Sequence, residues 1–327
     1  MQKPARQKNA RSGHALLAEK DQPGIRLEHM ATARSLLIIG GNGFIGQHLA
    51  EIAQASWTVY IADQTSQECA GNCYRLDVCD AEGVRGLCGK IMPDAVVNLA
   101  AISDIDRCEH EQTHARAVNV LGAANVAEAC AAQGSRLVFL SSAAVFDGLK
   151  HGYKEDDPPN PLSVYGQTKL EAEKAIKAIL PSVKIVRPAL VLGFSCVQGT
   201  NALLNKWVDS WRQGKPVKVP TEEYRNPIDA GTLARIILCL AEHPGANGTF
   251  HAGSLDSASR FELAQKVAKA SGYSPSLIIP QKEPLPGRAP RGRDHFLLTD
   301  RIRETCHITP GTIEEVVRRS LSEFAKG

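Results

Sequence analysis

The sequence predicts an α/β protein with a Rossmann-type, doubly wound parallel sheet and a smaller C-terminal substrate-binding lobe. Three observations support this fold class. Short apolar runs of β type alternate with helical patterns of about 10–18 residues, the runs are apolar on both faces, and a glycine-rich turn follows the first run. The 327 residues suffice for about two folding units.

The predicted elements follow one another in regular order through the first half of the chain. Strands are expected at 36–39, 58–62, 74–78, 95–100, 136–141 and 183–187, and helices at 46–55, 84–91, 114–132 and 163–180. After Pro188, proline and glycine become frequent and the alternation stops, which indicates the appended lobe. This half adds a helix at 230–241, a strand at 248–252 and a last helix at 312–324.

The composition excludes several classes of protein. Hydrophobic residues make up 43% and charged residues 22%, a globular balance that excludes a disordered chain or a coiled coil. No apolar run approaches the roughly 18–20 residues that span a bilayer. The nine cysteines form no CxxC pair and no cluster with zinc spacing, so we expect reduced thiols in a cytoplasmic protein and no metal site.

The strongest local signal is the segment GGNGFIG at residues 40–46, which contains both GxGxxG and GxxGxxG. It follows a predicted strand and opens a predicted helix, which is the context that dinucleotide binding requires. Glycines allow the tight turn and the close approach of a pyrophosphate, and the helix N-terminus offers free N–H groups. The segment therefore predicts a dinucleotide site.

An acidic residue at the end of the second strand indicates which dinucleotide binds. Asp63 lies 22 residues after Gly41, where a carboxylate accepts hydrogen bonds from the adenosine ribose and repels a 2′-phosphate. The next residue is Gln64, with no Arg or Lys close by in sequence. We therefore predict NAD as the cofactor, with NADP as the alternative.

A second group of residues has the chemistry of proton transfer. Tyr165 and Lys169 are four residues apart at the start of a predicted helix and so share one face. A nearby ammonium is expected to lower the pKa of the phenol, so that Tyr165 exchanges a proton with a carbonyl or alcohol oxygen. Ser142, at the end of the fifth strand, is placed to hydrogen-bond the same oxygen.

With these motifs in place, the sequence resembles the extended short-chain dehydrogenase/reductase superfamily over about residues 35–325. Within the superfamily it is most similar to the dTDP-4-dehydrorhamnose reductase and NAD-dependent epimerase group. The supporting segments are the glycine turn, Asp63, LDV at 76–78, NLAA at 98–101, Asn119, Ser142, Tyr165 with Lys169, RP at 187–188, PDAVVN at 93–98, AVNVLG at 117–122, VFDG at 145–148 and RGRD at 291–294.

The resemblance implies a set of site residues. The catalytic residues would be Ser142, Tyr165 and Lys169. The cofactor-binding residues would be Gly40, Gly43, Phe44, Ile45, Gly46, Asp63, Asp77, Val78, Leu99, Ala100, Ala101, Asn119, Tyr165, Lys169 and Pro188. The substrate-binding residues would be Ala143, Asn201, Arg225 and Arg291.

The chain also departs from the group's pattern. Ile39 replaces the usual Thr before the glycines, and Gly292 replaces the usual Pro after Arg291. The sequence SSAA at 141–144 lacks the Asp/Glu pair that nucleotide-sugar dehydratases need for water elimination. It fits a reductase or a 4-epimerase.

The resemblance implies an NAD(P)-dependent oxidoreductase that transfers hydride at a keto or hydroxyl carbon of a nucleotide-activated sugar. Two alternatives remain at this point: an NAD-dependent nucleotide-sugar epimerase, and a non-catalytic nucleotide-binding regulatory subunit. The regulatory-subunit alternative is considered because the β subunit of methionine adenosyltransferase, which serves a partner enzyme, resembles the same group.

The expected domain organisation is a basic, disordered arm at 1–34, an NAD-binding domain at 35–189, and a mainly substrate-binding lobe at 190–327 whose segment at about 226–252 returns to the first domain. The net charge is +3. The arm carries +4, from seven basic and three acidic residues, and the rest carries −1. The body therefore shows no basic bias toward nucleic acid, and the expected partners are a small-molecule substrate and, as an assembly, a homodimer.

Overall fold

A computed structural model describes residues 34–65, 72–196, 202–283 and 287–322. The arm up to residue 33, Asn201 and Cys69 therefore lie outside the described residues, and the predictions made for them stay predictions. In the part that is described, no helix is both long enough and apolar enough to cross a membrane.

The strands are β1 (Ser35–Ile39), β2 (Thr58–Asp63), β3 (Cys73–Arg75), β4 (Ala95–Asn98), β5 (Arg136–Leu140), β6 (Lys184–Pro188), β7 (Leu190–Leu192), β8 (Val217–Pro220), β9 (Tyr224–Arg225), β10 (Pro227–Asp229), β11 (Gly248–Ala252), β12 (Ala258–Ser259), β13 (Ile278–Gln281) and β14 (Asp294–His295). The helices are α1 (Phe44–Ala53), α2 (Ala81–Ile91), α3 (Ile105–His110), α4 (Gln112–Arg116), α5 (Gly122–Gln133), α6 (Val164–Ile179), α7 (Leu203–Arg212), α8 (Ala230–Glu242), α9 (Arg260–Ala270), α10 (Asp300–Cys306) and α11 (Ile313–Ser322).

The central sheet has seven strands in the order β11-β6-β5-β4-β1-β2-β3, and every pair in it is parallel. The predicted Rossmann-type fold class is confirmed. The strand order reverses beside β1, which pairs with β2 on one side and β4 on the other. Ligands of such sheets bind in the crevice at the carboxyl ends of the strands near this reversal.

Helices cover both faces of the sheet because its strands are apolar on both faces. On one face, α1 and α8 pack over alternate strand residues such as Leu36 and Ile38. On the other face, α2, α5 and α6 pack over Leu37 and Ile39. β11 and α8 come from the second half of the chain, yet they complete this sheet and one of its helical layers.

A third apolar core lies in the second half of the chain, between α7, α9, α11 and the paired strands β8 and β13. Two tryptophans of α7, Trp207 and Trp211, stack within it at 5.9 Å between ring centroids. All of the described residues nevertheless fall within one compact unit. The domain boundary at 189/190 therefore stays a prediction.

Beyond shifts of a few residues at the ends of other elements, two predicted elements differ from the structure at positions that concern the crevice. The third strand stops at Arg75 instead of residue 78, and Leu76–Val78 turn into the crevice. The predicted helix 114–132 contains a π-helical stretch at Ala117–Leu121, which separates α4 from α5. Such stretches occur frequently at functional sites.

Candidate active site

The turn between β1 and α1 has the geometry that the glycine motif predicts. Gly40 adopts φ +82°, and a Cβ there would lie 2.8 Å from the Ala100 backbone nitrogen. A Cβ on Gly46 would lie 2.6 Å from the carbonyl oxygen of Gly40. Gly43 caps α1 without any side-chain hydrogen bond, so the N–H groups of the first helical turn remain available to an anion.

Asp63 lies at the carboxyl end of β2, directly beside this turn. Its Oδ2 accepts a hydrogen bond from the Asn42 N–H at 3.2 Å, and its Oδ1 accepts from the N–H and the hydroxyl of Thr65 at 3.0 and 2.8 Å. The carboxylate is thus fixed at the rim of the crevice, where the ribose prediction requires it.

A cavity of about 780 Å³ runs along the carboxyl ends of the strands. A volume of this order suits a dinucleotide. The structure brings nearly all of the predicted cofactor residues together in its wall: Gly40, Gly43, Phe44, Ile45, Gly46, Asp63, Asp77, Val78, Leu99, Ala100, Ala101, Tyr165, Lys169 and Pro188.

Asn119 is the exception, and the cofactor contact predicted for it stays a prediction. It is 1% exposed within the π-helical stretch and does not line the cavity. Its side chain bonds the N–H and C=O of Ile102 at 2.8 and 3.2 Å and the Thr168 hydroxyl at 3.0 Å. Asn119 therefore supports the cavity wall from behind, linking it to the helix that carries Tyr165 and Lys169.

The predicted catalytic residues Ser142, Tyr165 and Lys169 all line this cavity. Ser142 follows β5, and its Oγ accepts a hydrogen bond from the Ala144 N–H at 3.1 Å. The first turn of α6 packs directly on this segment, since a Cβ on Gly166 would collide with the Ala144 carbonyl oxygen. This close approach brings the Tyr165 hydroxyl into hydrogen-bonding contact with Ser142.

Burial dominates the electrostatics of the pair on α6. It raises the pKa of Tyr165 to about 12, while the hydrogen bond to Ser142 acts in the opposite direction. It lowers the pKa of Lys169 to about 8, opposed by the negative charge of Glu173. The lowered pKa expected for Tyr165 is therefore wrong for this structure: desolvation of the buried phenol raises it, and the opposing influence comes from Ser142, not from Lys169.

A second cavity of about 330 Å³ adjoins the first, and Ser142 lines both. Its described lining carries five basic side chains against three acidic ones, so its formal charge is +2. These side chains are Lys206, Arg225, Arg260, Arg288 and Arg291, with Asp104, Asp106 and Glu223.

One carboxylate serves three of the guanidiniums. Glu223 pairs with Arg288 and with Arg260 at 3.4 Å, and lies 3.8 Å from Arg225. Although burial acts to raise the pKa of Glu223, these charges hold it below its ordinary value. The Nε of Arg260 is buried, and no group in the described part of the chain accepts a hydrogen bond from it. The described lining of this cavity therefore has a positive charge balance that favours an anion.

The structure places the predicted substrate-binding residues differently with respect to the second cavity. Arg225 and Arg291 line the second cavity, but Arg225 donates to the carbonyl oxygens of residues 224, 292 and 293, and Arg291 pairs with Asp106 at 2.9 Å. Ala143 is 1% exposed and packs against Val145 and Phe146, so its neighbour Ala144 lines the cavity instead. The substrate contact predicted for Ala143 stays a prediction.

Sequence reasoning missed Lys206, Glu223, Arg260 and Arg288. Arg288 lies close in sequence to the predicted Arg291, and the density of arginines at 288–293 is a signal that could have found it. Arg260 and Glu223 offer no such signal, because they meet only through the pairing of β9 with β12.

The sheet, the glycine turn and the Ser142–Tyr165–Lys169 group define a member of the extended short-chain dehydrogenase/reductase superfamily. A family model described as "RmlD substrate binding domain" matches residues 34–326. The chain therefore belongs to the RmlD family, and the predicted resemblance to the dTDP-4-dehydrorhamnose reductase group is confirmed.

Individual relatives agree with this assignment. The dTDP-4-dehydrorhamnose reductase of Mycolicibacterium smegmatis is 30% identical over 275 residues, which cover 83% of this chain and 80% of that protein. Methionine adenosyltransferase 2 subunit beta of Mus musculus is 30% identical over 267 residues, covering 76% and 75%. The crystal structure of dTDP-4-dehydrorhamnose reductase from Bacillus anthracis in complex with NADP superposes with a TM-score of 0.81 at 24% identity, covering 89% of this chain and 99% of that one.

Proposed function

We propose that this protein reduces the keto group of a nucleotide-activated sugar with NAD(P)H, with NADH preferred. The observation that carries the proposal is the position of Ser142. It lies at the junction of the two cavities, with Tyr165 and Lys169 on the dinucleotide side and the arginine cluster on the other. A carbonyl held at this junction meets a hydride source on one side and an anion site on the other.

The first cavity fits a nicotinamide dinucleotide. Within this proposal, the N–H groups at the start of α1 would bind the pyrophosphate, and Asp63, which lines the same cavity, would accept hydrogen bonds from the adenosine ribose. Lys169 lies at the opposite end, where it would bind the nicotinamide ribose. When bound, the dinucleotide supplies the hydride. The carboxylate of Asp63 opposes a 2′-phosphate, which supports NADH over NADPH.

The second cavity fits the diphosphate of a nucleotide sugar. A diphosphate diester carries two negative charges near neutral pH, which match the +2 formal charge of the described lining. Arg260 lines this cavity, and its buried Nε–H donates to no group in the described part of the chain. Guanidinium groups also favour phosphate through paired hydrogen bonds. This match supports a substrate with a nucleoside diphosphate over an uncharged sugar.

Tyr165 is the proton donor in this proposal. Because burial raises its pKa to about 12, it stays protonated at neutral pH, as a general acid must. Hydride addition leaves negative charge on the sugar oxygen, and Tyr165 donates its proton there while Ser142 holds the same oxygen. No acidic side chain occupies positions 143 and 144, which disfavours water elimination.

The test is a panel of dTDP-, UDP- and GDP-linked keto sugars, each incubated with the full chain and NADH or NADPH. We expect nicotinamide absorbance to fall with one nucleotide sugar and the reduced sugar to appear in equal amount. An NAD-dependent epimerase would instead convert substrate without net consumption of NADH and would retain NAD through purification.

A regulatory role is the second candidate, because a relative named methionine adenosyltransferase 2 subunit beta is as similar to this chain as the reductase is. The intact Ser142–Tyr165–Lys169 group favours the reductase. If the chain binds NADH but reduces no member of the panel, the regulatory role becomes the better proposal.

A further inference from the structure

Three charged side chains are buried together between α6 and the carboxyl end of β6. Lys169, Glu173 and Arg187 are 2%, 1% and 3% exposed. Lys169 and Glu173 are four residues apart on α6 and so lie on the same face of the helix. Buried charges of this kind are costly unless they are paired, so their arrangement requires an explanation.

Both carboxylate oxygens of Glu173 accept hydrogen bonds from buried groups. Its Oε1 accepts from the Arg187 Nε at 2.9 Å and from the Ser141 hydroxyl at 2.5 Å, and its Oε2 accepts from the Arg187 Nη2 at 2.6 Å. A two-pronged guanidinium contact fixes a carboxylate in both distance and plane. Glu173 is therefore held in one place and cannot swing away to solvent.

The partners of Glu173 belong to the strands that carry the active site. Ser141 precedes the catalytic Ser142 at the end of β5, and Arg187 precedes Pro188 at the end of β6. Ser141 and Pro188 both line the first cavity beside Lys169. One carboxylate thus connects the ends of two strands to the helix that presents Tyr165 and Lys169.

The surroundings of Lys169 leave few sources of charge stabilisation. Its Nζ lies 4.4 Å from the centre of the Phe139 ring on β5, a contact that favours a cation. From α3, the Cys108 thiol faces it, and Tyr165 and Glu173 face it from its own helix. Arg187 on β6 contacts Glu173, and its positive charge opposes the effect of that carboxylate on Lys169. Glu173 is the main opposing influence to burial.

We propose that Glu173 is a positioning residue whose fixed, buried carboxylate keeps the Lys169 side chain charged at neutral pH. Its meaning for catalysis rests on the proposed function, in which a charged Lys169 binds the nicotinamide ribose. The ion pair with Arg187 stabilises the ionised form of Glu173. Because Glu173 and Lys169 share one face of α6, that negative charge favours the charged form of Lys169.

The primary test measures the charge of Lys169 directly and needs neither cofactor nor substrate. The full chain is produced with isotope-labelled lysine, and the Lys169 side-chain signal, assigned by its loss in Lys169→Arg, is followed against pH by NMR. The wild type should titrate near pH 8. Glu173→Gln keeps the shape and removes the charge, and it should lower this midpoint by about one pH unit or more.

The matched control is Glu171→Gln on the same helix. Glu171 is 42% exposed in its side chain and pairs with Arg116 at 3.2 Å, so its replacement should leave the Lys169 midpoint unchanged. Equal midpoints in wild type and Glu173→Gln would overturn the proposal. If Glu173→Gln does not fold, the double variant Glu173→Gln/Arg187→Gln removes the buried pair together, and it should show a smaller shift in the same downward direction.

A second readout links the carboxylate to binding. NADH titrations followed by fluorescence should show Glu173→Gln about fivefold weaker than wild type at pH 8 and close to wild type at pH 6, where Lys169 regains its proton. A merely structural defect would weaken binding equally at both pH values, and that result would contradict the proposal. Failure of all NADH binding by the wild type would refute the proposed function while leaving the NMR result to decide the role of Glu173.

Discussion

Replacing Gly46 with alanine tests the cofactor site at its most constrained point. The added methyl group would lie 2.6 Å from the Gly40 carbonyl oxygen, the Gly41 Cα and the Gly41 carbonyl oxygen. All three atoms belong to the backbone, so the loop itself must move, and none of the contacts is relieved by rotating a side chain. Such overpacking costs about 1–3 kcal/mol.

The displaced atoms are those that would cradle the pyrophosphate, so the cost should appear mainly in binding. We expect Gly46→Ala to weaken NADH at least tenfold, which corresponds to about 1.4 kcal/mol. The assay is a fluorescence titration of NADH, run beside a thermal melt that monitors folding.

Gly86→Ala is the matched control. Gly86 is an exposed position of α2, and a Cβ there would meet nothing within 4 Å. Alanine at this position should stabilise the protein by about 0.5–1 kcal/mol through helix propensity, with NADH affinity unchanged. The reasoning fails if Gly46→Ala binds NADH as tightly as the wild type.

Three further predictions follow from the same two cavities. Asp63→Ala should weaken the binding of NADH and improve the binding of NADPH relative to NADH. A wild-type protein that binds NADPH more than about tenfold more tightly than NADH, roughly 1.4 kcal/mol, would contradict the role of Asp63. Because Lys169 has a pKa of about 8 and loses its charge above it, NADH affinity should fall as pH rises through 8, whereas Lys169→Met should abolish this dependence. Arg260→Met should raise the KM for the nucleotide sugar about tenfold or more and leave the Kd of NADH unchanged. An equal loss of affinity for the nucleotide sugar and for NADH would argue against a separate anion site.

Most of the fold could be predicted because local pattern and tertiary structure agree in the first half of the chain. The strands β1, β2, β4, β5 and β6 and the helices between them are apolar on the faces that the sheet buries. The second half was harder to predict. Helix α7 has a clear apolar stripe at Leu204, Trp207, Val208 and Trp211, but the surrounding proline and glycine residues obscured it.

The dinucleotide side of the site could be predicted because its residues lie within short motifs that fix their own geometry. Gly40 and Gly46 are needed by the turn itself, and Tyr165 and Lys169 are brought together by helical spacing alone. The second cavity could not be predicted, because Glu223, Arg260 and Arg288 come from distant segments and meet only in the folded chain. The raised pKa of Tyr165 could not be predicted from the sequence either, because it results from burial by α3 and by the turn after β5, which are distant in sequence.

The most direct test of the account is the turnover of Tyr165→Phe on the nucleotide sugar that the wild type reduces. This change removes only the proton donor, so we expect turnover to fall by about 10²–10⁴-fold, the usual contribution of general acid catalysis. The Kd of NADH should change little, because the ring and its packing remain. Near-native turnover in Tyr165→Phe would contradict the assignment of Tyr165 as the acid.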